Sequence, residues 1–268
     1  MKLGFIGAGN MAGAIIKGFV NKNCVNSSDI YFIRQNKEKQ AQQASELGIN
    51  GCNDYESLIE NSDILFLGVK PVVFPTLLPQ IAKSVKKKNP LVVSMAAGLT
   101  TDSIKEMLGY DAKIIRIMPN VNAAIAMSTT AVCKNEFASD EDLATIKNLF
   151  SSIGLTTEVP ENQFAIFTAI AGCSPAYVYM FIDGLARGAQ KMGMNKQKAL
   201  EIAASAVIGS ASMYAQSKEH PQELVDKVCS PGGTTIEGVT TLEEYKFTAG
   251  VVKAVENSIL KDRELSKK

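Results

Sequence analysis

The sequence predicts an α/β fold: a doubly wound, mostly parallel sheet followed by an all-helical domain. Three observations predict it. A strand-like run at Leu3–Gly7 passes through a glycine-rich turn directly into a helical pattern at Ala14, Ile15, Ile16, Phe19 and Val20. Strand-like and helix-like stretches then alternate up to about Pro160, as parallel strands joined by crossover helices require. From there to Lys268 no strand pattern recurs. The expected domains are therefore residues 1–160 and residues 161–268.

The first turn reads Gly7-Ala8-Gly9-Asn10-Met11-Ala12 after Ile6, a G-x-G-x-x-A pattern between strand and helix. Gly7 permits the tight turn, Gly9 lets a pyrophosphate approach the backbone, and Ala12 lets the helix pack close to the strand. The free N–H groups of the first helical turn and the helix dipole favour phosphate there. The pattern predicts a Rossmann-type dinucleotide site, the other reading being a plain strand–helix turn.

The second strand, Ile30–Ile33, ends in Arg34-Gln35-Asn36 with no acidic residue. An acid at this place, roughly 20 residues after the glycines, would accept bonds from a ribose 2′-hydroxyl. An arginine fork with neutral neighbours suits a 2′-phosphate instead, so NADPH is expected as the preferred cofactor, with NADH as the alternative. The other reading of Arg34 is an ordinary surface charge. A helix over Lys37–Leu47, a short segment at Ile49–Gly51 and a helix from about Asp54 follow. Asp63–Val69 is continuously apolar, as a strand buried on both faces should be. It runs into Lys70-Pro71. Residues just past such strands line the carboxyl edge of the sheet, where cofactors bind, so Val69, Lys70 and Pro71 are candidates; Lys70 either touches the cofactor or caps the strand. Leu91–Met95 runs into Ala96-Ala97-Gly98, three tiny residues that admit a flat ring or form a tight turn. Ile114–Met118 ends in Pro119-Asn120. Thr129–Lys134 and Leu155–Val159 are further strands, joined by a helix over about Asp140–Phe150.

In the second domain, Gln163–Met192 is apolar at helical spacing, and Pro175 should kink or restart the helix. Lys196–Gln216 is apolar or small nearly all round (Leu200, Ile202, Ala203, Val207, Ile208, Ala211, Met213), so it must be buried on every side. A domain of this size encloses such a helix poorly, and another subunit is expected to cover it. At Cys229–Ile236, a Ser-Pro-Gly-Gly turn opens a helix with Thr234 and Thr235 in its first turn. Bare N–H groups and hydroxyls there make either a carboxylate site or a plain helix start.

Composition bounds the rest. The 268 residues are 46% hydrophobic and 21% charged, with a formal net charge of +1, so no broad field points to nucleic acid or a membrane surface. Lys86–Lys88 reads as a solvated helix end. No apolar run is expected to reach membrane-spanning length, and no signal peptide is expected before the first strand. The five cysteines are scattered without a C-x-x-C, which points to a reduced, cytoplasmic setting and no metal site.

Taken together, the motifs resemble the pyrroline-5-carboxylate reductase family over essentially the whole chain. The markers are GFIGAGNMA at Gly4–Ala12, VKP at Val69–Pro71, SMAAG at Ser94–Gly98 and RIMPN at Arg116–Asn120. In the second domain they are SPAYVYMFI at Ser174–Ile182, IGSASM at Ile208–Met213, EHP at Glu219–Pro221 and VCSPGGTTIEGV at Val228–Val239. The resemblance implies NADPH-dependent reduction of a cyclic imine, 1-pyrroline-5-carboxylate, to L-proline, the last step of proline synthesis. It implies a helical dimerisation domain, with dimers often gathered into a decamer. It places the substrate carboxylate against Gly232, Gly233, Thr234 and Thr235, with Val228 nearby, and gives the bond to the ring nitrogen to Thr235, the candidate catalytic residue. Two departures touch the pocket: Val121-Asn122 where the family often has Thr-Pro, and Cys173 within Gly172-Cys173-Ser174 where it often has serine. The chemistry agrees with the residues. An imine nitrogen is basic enough to be protonated near neutrality, so orientation by a hydroxyl suffices, and the single histidine, His220, reads as part of a helix-entry turn. The β-hydroxyacid dehydrogenases share the layout but need a lysine base early in the second domain, where Gly172–Tyr177 offers none.

Overall fold

The computed structural model describes residues 1–265 and divides into two compact units. One holds Met1–Gly172 together with Ile259–Leu265; the other holds Cys173–Ser258. The first unit thus extends to Gly172 and includes Ile259–Leu265 of the last helix.

The first unit is an eight-stranded sheet. Its strands are β1 (Leu3–Ile6), β2 (Ile30–Ile33), β3 (Asn50–Gly51), β4 (Ile64–Leu67), β5 (Leu91–Ser94), β6 (Ile114–Met118), β7 (Ser128–Lys134) and β8 (Gly154–Glu158), in the order β3-β2-β1-β4-β5-β6-β7-β8. All neighbours are parallel except β6 and β7. The helices are α1 (Asn10–Asn21), α2 (Lys37–Leu47), α3 (Tyr55–Glu60), α4 (Phe74–Lys88), α5 (Thr101–Leu108) and α6 (Asp140–Ser151).

Both faces of the central strands β1, β4, β5 and β6 are buried, and the strand period decides which side chain goes where. Leu3, Phe5, Ile64 and Phe66 point into one core with α1 and α6. Ile6, Leu65 and Leu67 point into the other with α3, α4 and α5. Phe5 and Phe66 stack at 4.5 Å, and Phe19 meets Phe150 edge-on. The chain winds outward from β1 in one direction and from β4 in the other, so the strand order reverses between them. Register puts Ile33, Ile6, Leu67 and Ser94 in one row. The segments that follow them share one carboxyl edge around that switch point, where α/β sheets bind ligands.

After a short α7 (Phe164–Phe167), a π-helical stretch at Thr168–Cys173 leads into α8 (Ser174–Lys191), with Pro175 in its first turn. The irregularity expected from Pro175 takes the form of a π-helical stretch just before it. The helical run Glu161–Lys191 is by length and composition long and apolar enough to cross a membrane. That corrects the expectation that no apolar run reaches such a length, although Asp183 and Arg187 interrupt it with an i,i+4 pair.

In the second unit, α9 (Lys196–Ser217) packs on α8. Asn195 caps α9, and Asp183 of α8 accepts from both Arg187 and Lys196; these bonds, Lys196 foremost, hold its carboxyl below the usual range. α10 (Pro221–Val228) starts in a capping box. The His220 ring accepts from the Gln222 N–H, and Glu223 accepts from the His220 N–H, so the single histidine serves as a helix cap. α11 (Thr234–Glu244) and α12 (Phe247–Leu265) complete the chain. Within the single chain α9 is not enclosed: Ile202, Ile208, Met213 and Tyr214 are exposed, as are Tyr179, Met180, Val251 and Val252 on α8 and α12.

Candidate dinucleotide and anion sites

At the switch point the backbone leaves no room for side chains. Gly7 has φ +87°, and a β-carbon there would stand 2.8 Å from the Gly68 carbonyl oxygen. A β-carbon on Gly68 would stand 2.5 Å from the Gly7 carbonyl oxygen and 2.8 Å from the Ala12 methyl. The ends of β1 and β4 and the first turn of α1 are thereby held in direct contact. Gly9 is the opposite case: a β-carbon there meets nothing within 4 Å. It is exposed, it is the N-cap of α1, and it offers no side-chain cap; the first turn of α1 also carries no acidic residue. Bare N–H groups facing open space at a helix start fit a pyrophosphate. Ile6, Ala8 and Ala12 are buried beneath this turn, while Asn10 is exposed and Met11 half-buried.

Arg34 follows β2 on the same edge. Its N–H donates to Gln40 Oε1 (2.8 Å) and its Nη1 to Gln43 Oε1 (2.7 Å). Gln40 is itself buried and donates to the Cys52 carbonyl. One neutral amide from α2 thus orients the guanidinium without neutralising it. Gln35 is exposed, and Asn36 caps α2 through the Lys39 N–H. Beyond β4, Val69 is half-buried, while Lys70 and Pro71 are exposed at the start of a short 3₁₀ turn. Beyond β5, Ala96 is buried, Ala97 is exposed and Gly98 has φ +78°.

Asn120 follows β6, but its side chain turns inward. Nδ2 donates to the Ala171 carbonyl (3.0 Å), and Oδ1 accepts from the Thr129 N–H (3.2 Å). The residue is a bracket between three segments.

Gly68 was not singled out by sequence reasoning. The signal was present, since a glycine directly after an apolar strand has no reason to be there unless something packs on it.

A second cluster that sequence reasoning did not reach lies around Arg116. This buried side chain donates from Nη1 to Glu161 Oε1 (3.2 Å) and lies on the Phe164 ring (4.5 Å). Glu161 also accepts from the N–H and the hydroxyl of Thr101 at the start of α5.

In the second unit, the Gly233 N–H donates to the Ser230 carbonyl (3.0 Å) across Pro231 and Gly232, and Gly232 has φ +66°. Proline followed by a positive-φ glycine is the signature of a type II turn. Gly233 is the N-cap of α11 and has no side chain to cap it, so the turn delivers the chain to the helix with its first N–H groups bare. Thr234 is exposed, Thr235 is half-buried in that first turn, and Val228 is exposed at the end of α10. The arrangement is suited to a small carboxylate.

Comparison with known proteins agrees with this geometry. Residues 161–265 match the family described as pyrroline-5-carboxylate reductase dimerisation, and residues 2–98 match that described as NADP oxidoreductase, coenzyme F420-dependent. The chain is 40% identical to the pyrroline-5-carboxylate reductase of Escherichia coli over 266 residues, covering 99% of this chain and 98% of that one. It is 34% identical to that of Methanosarcina acetivorans over 274 residues, covering 100% and 98%. Among solved structures it is similar to the 1-pyrroline-5-carboxylate reductase of Streptococcus pyogenes (TM-score 0.89, 38% identity, 98% of each chain). It is also similar to the Plasmodium falciparum pyrroline carboxylate reductase with NADP bound (TM-score 0.90, 30% identity, 99% of this chain and 98% of that one). A Rossmann-like sheet with a bare-N–H helix start, a glycine-paired switch point and full-length likeness of this degree lead to one conclusion: the chain belongs to the pyrroline-5-carboxylate reductase family of NAD(P)H-dependent oxidoreductases.

Proposed function

We propose that the protein reduces 1-pyrroline-5-carboxylate to L-proline with NADPH. The observation that carries the cofactor half of this reading is the paired arrangement at the sheet edge. Gly7 and Gly68 clamp the turn, and Gly9 leaves open the space a pyrophosphate needs. Ile6 to Ala12 form the cradle. Arg34, held in place by Gln43 and flanked by Gln35 and Asn36, faces the adenosine 2′-phosphate and sets the preference for NADPH over NADH. Val69, Lys70 and Pro71 border the nucleotide after β4, and Ala96, Ala97 and Gly98 leave room for the ribose and nicotinamide after β5. Asn120 borders the same edge with its backbone, its amide being engaged elsewhere.

The anion half rests on the loop before α11. Gly232 and Thr234 present N–H groups to the substrate carboxylate, Gly233, whose own N–H is bonded to the Ser230 carbonyl, lets it approach the backbone, Val228 lies beside them in sequence, and the Thr235 hydroxyl bonds to the ring nitrogen. When bound, NADPH supplies a hydride to the carbon of the C=N bond, whose electrons pass to the protonated nitrogen and leave the secondary amine of proline. The protein's own task is then binding and orientation, without a strong acid or base. His220 fits this, since its ring is spent as a helix cap.

The exposed apolar residues of α8, α9 and α12 are a surface for a second copy of the chain, as the dimerisation family that spans them suggests. That assigns the apolar run Glu161–Lys191 a protein partner rather than a bilayer. Assembly of dimers into a decamer, and residence in the cytoplasm with all five cysteines as free thiols, complete the reading. Purified protein should oxidise NADPH on addition of 1-pyrroline-5-carboxylate and leave a panel of hydroxyacids untouched with NADP⁺; turnover of a hydroxyacid with none of the imine would overturn it.

A further inference from the structure

Two glutamines one turn apart on α2 hold Arg34 at two levels. Gln40, which is buried, accepts from the Arg34 N–H (2.8 Å) and donates to the Cys52 carbonyl (2.8 Å), so the chain leaving β2 is pinned to the chain leaving β3. Gln43, half-buried, accepts from Arg34 Nη1 at 2.7 Å and holds the guanidinium itself. Each amide lies against a glycine. A β-carbon on Gly51 would stand 3.0 Å from Gln40 Nε2, and one on Gly13 of α1 would stand 3.4 Å from Gln43 Nε2. Gln43 therefore reaches from α2 across to α1, the helix that starts at the open space of Gly9, with Arg34 bonded to the other end of its amide.

We propose that Gln43 is a positioning residue for cofactor choice: its amide sets the Arg34 fork beside the cradle at α1 and, being neutral, leaves the whole of that charge for a ribose 2′-phosphate. This rests on the reading of the cofactor as NADPH and adds to it a second determinant, one that never touches the phosphate. A free arginine side chain must give up its rotamer freedom when it grips a phosphate, whereas one already held at Nη1 has given it up beforehand. Gln43 takes one donor of the fork and leaves the rest to the ligand. A carboxylate in the amide's place would hold the guanidinium in the same geometry, but it would compete with the phosphate for the same donors and repel its charge. Geometry asks for an acceptor of this length and electrostatics asks that it be uncharged, and glutamine meets both.

The test is titration of the full-length protein with NADPH and with NADH, for Gln43→Glu, Gln43→Met, Arg34→Met and the pair Arg34→Met with Gln43→Met. Gln43→Glu keeps the acceptor for Arg34, so the Tm without ligands should hold or rise, yet the Kd for NADPH should rise about tenfold while that for NADH stays within about twofold. Gln43→Met, which frees the guanidinium, should raise the Kd for NADPH about threefold in the wild-type background and add nothing once Arg34 is replaced, because the glutamine acts only through that residue. Equal losses of both cofactors with a fall in Tm, the mark of a merely structural bond, would overturn the proposal. So would a Gln43→Glu variant that binds NADPH as the wild type does, or a Gln43→Met loss that persists undiminished in the Arg34→Met background. A wild type with no preference for NADPH would bring down the cofactor reading and this inference with it. A preference that depends on Arg34, with both Gln43 variants silent, would overturn this inference alone.

Discussion

Gly68 packs backbone to backbone on Gly7, so closely that a methyl group on Gly68 would lie 2.5 Å from the Gly7 carbonyl oxygen. No flexible side chain is available to yield there, because the opposing atoms belong to the main chain and to Ala12. Gly68→Ala must therefore push β4 away from the first turn of α1. Overpacking of this kind costs about 1–3 kcal/mol, and it should weaken NADPH binding as well. Gly9→Ala is the contrasting case. Its backbone, at φ −71°, is open to any residue, and its surroundings are empty. Stability should stay within about 0.5 kcal/mol of wild type, while affinity for NADPH falls severalfold because the new methyl occupies the space left for phosphate. Urea titrations and NADPH titrations of the two variants separate the effects. Loss of stability in Gly9→Ala, with affinity intact, would contradict the assignment.

The contrast between Gly7 and Gly68 also shows how far the sequence could be read. The G-x-G-x-x-A turn was legible because its geometry is local: strand, turn and helix follow within a dozen residues. The sheet was legible because strands buried on both faces are apolar at every position, as in Ile64–Leu67. Gly68 escaped because its reason lies across the sheet, in a residue 61 positions away. The antiparallel pairing of β7 with β6 was not read either, although only nine residues separate Met118 from Ser128, too few for a parallel crossover of a dozen or more. Asn120 was singled out by its place at a strand end, and neighbours in sequence could not show that its amide turns inward to Ala171. The all-round apolar character of α9 was plain in the sequence, and the single chain leaves that helix exposed rather than covered.

Arg34 is held by Gln43, and among the described residues no carboxylate is in its immediate hydrogen-bond set. Its charge is available to an incoming phosphate. Replacing it with glutamate should reverse the cofactor preference: Kd for NADPH should rise by about tenfold to a hundredfold, as loss of a charge-assisted pair worth ~1.5–3 kcal/mol implies. Affinity for NADH, which has no 2′-phosphate, should hold or improve. Parallel titrations with the two cofactors check this, and an unchanged ratio would place the 2′-phosphate elsewhere.

Thr235 lies in the first turn of α11, half-buried, behind the Ser230–Gly233 turn. Its proposed partner is the ring nitrogen, so Thr235→Ala should lower kcat/KM for the imine by about tenfold or more and leave NADPH affinity unchanged. Thr235→Ser keeps the hydroxyl and should retain most of the activity. Steady-state kinetics of the two variants, with NADPH titrations beside them, make the comparison. Equal losses of cofactor affinity and turnover would remove Thr235 from the chemistry.

Glu161 carries more of the first unit's integrity than its half-exposed position suggests. Its carboxylate accepts from Arg116 Nη1, from the Thr101 N–H at 2.8 Å and from the Thr101 hydroxyl at 2.9 Å, and so closes the start of α5 onto a buried charge on β6. Cys133, paired with Arg116 across β6 and β7, cannot take over, because burial pushes its thiol up to about 12 and keeps it neutral. Asp262 can share the load in part: burial raises its carboxyl, and the Arg116 charge works against that rise. Glu161→Ala should therefore cost about 2–3 kcal/mol, somewhat less than the ~3–5 kcal/mol seen when a fully buried pair loses one member. Glu161→Gln keeps an acceptor for the Thr101 N–H and should cost less. Changing both partners to apolar residues, as in Arg116→Met with Glu161→Leu, should recover part of the loss, since the buried Arg116 charge is then removed together with its partner. Urea unfolding of the four proteins measures each step, and a Glu161→Ala variant as stable as wild type would show that the Arg116 charge finds its compensation elsewhere.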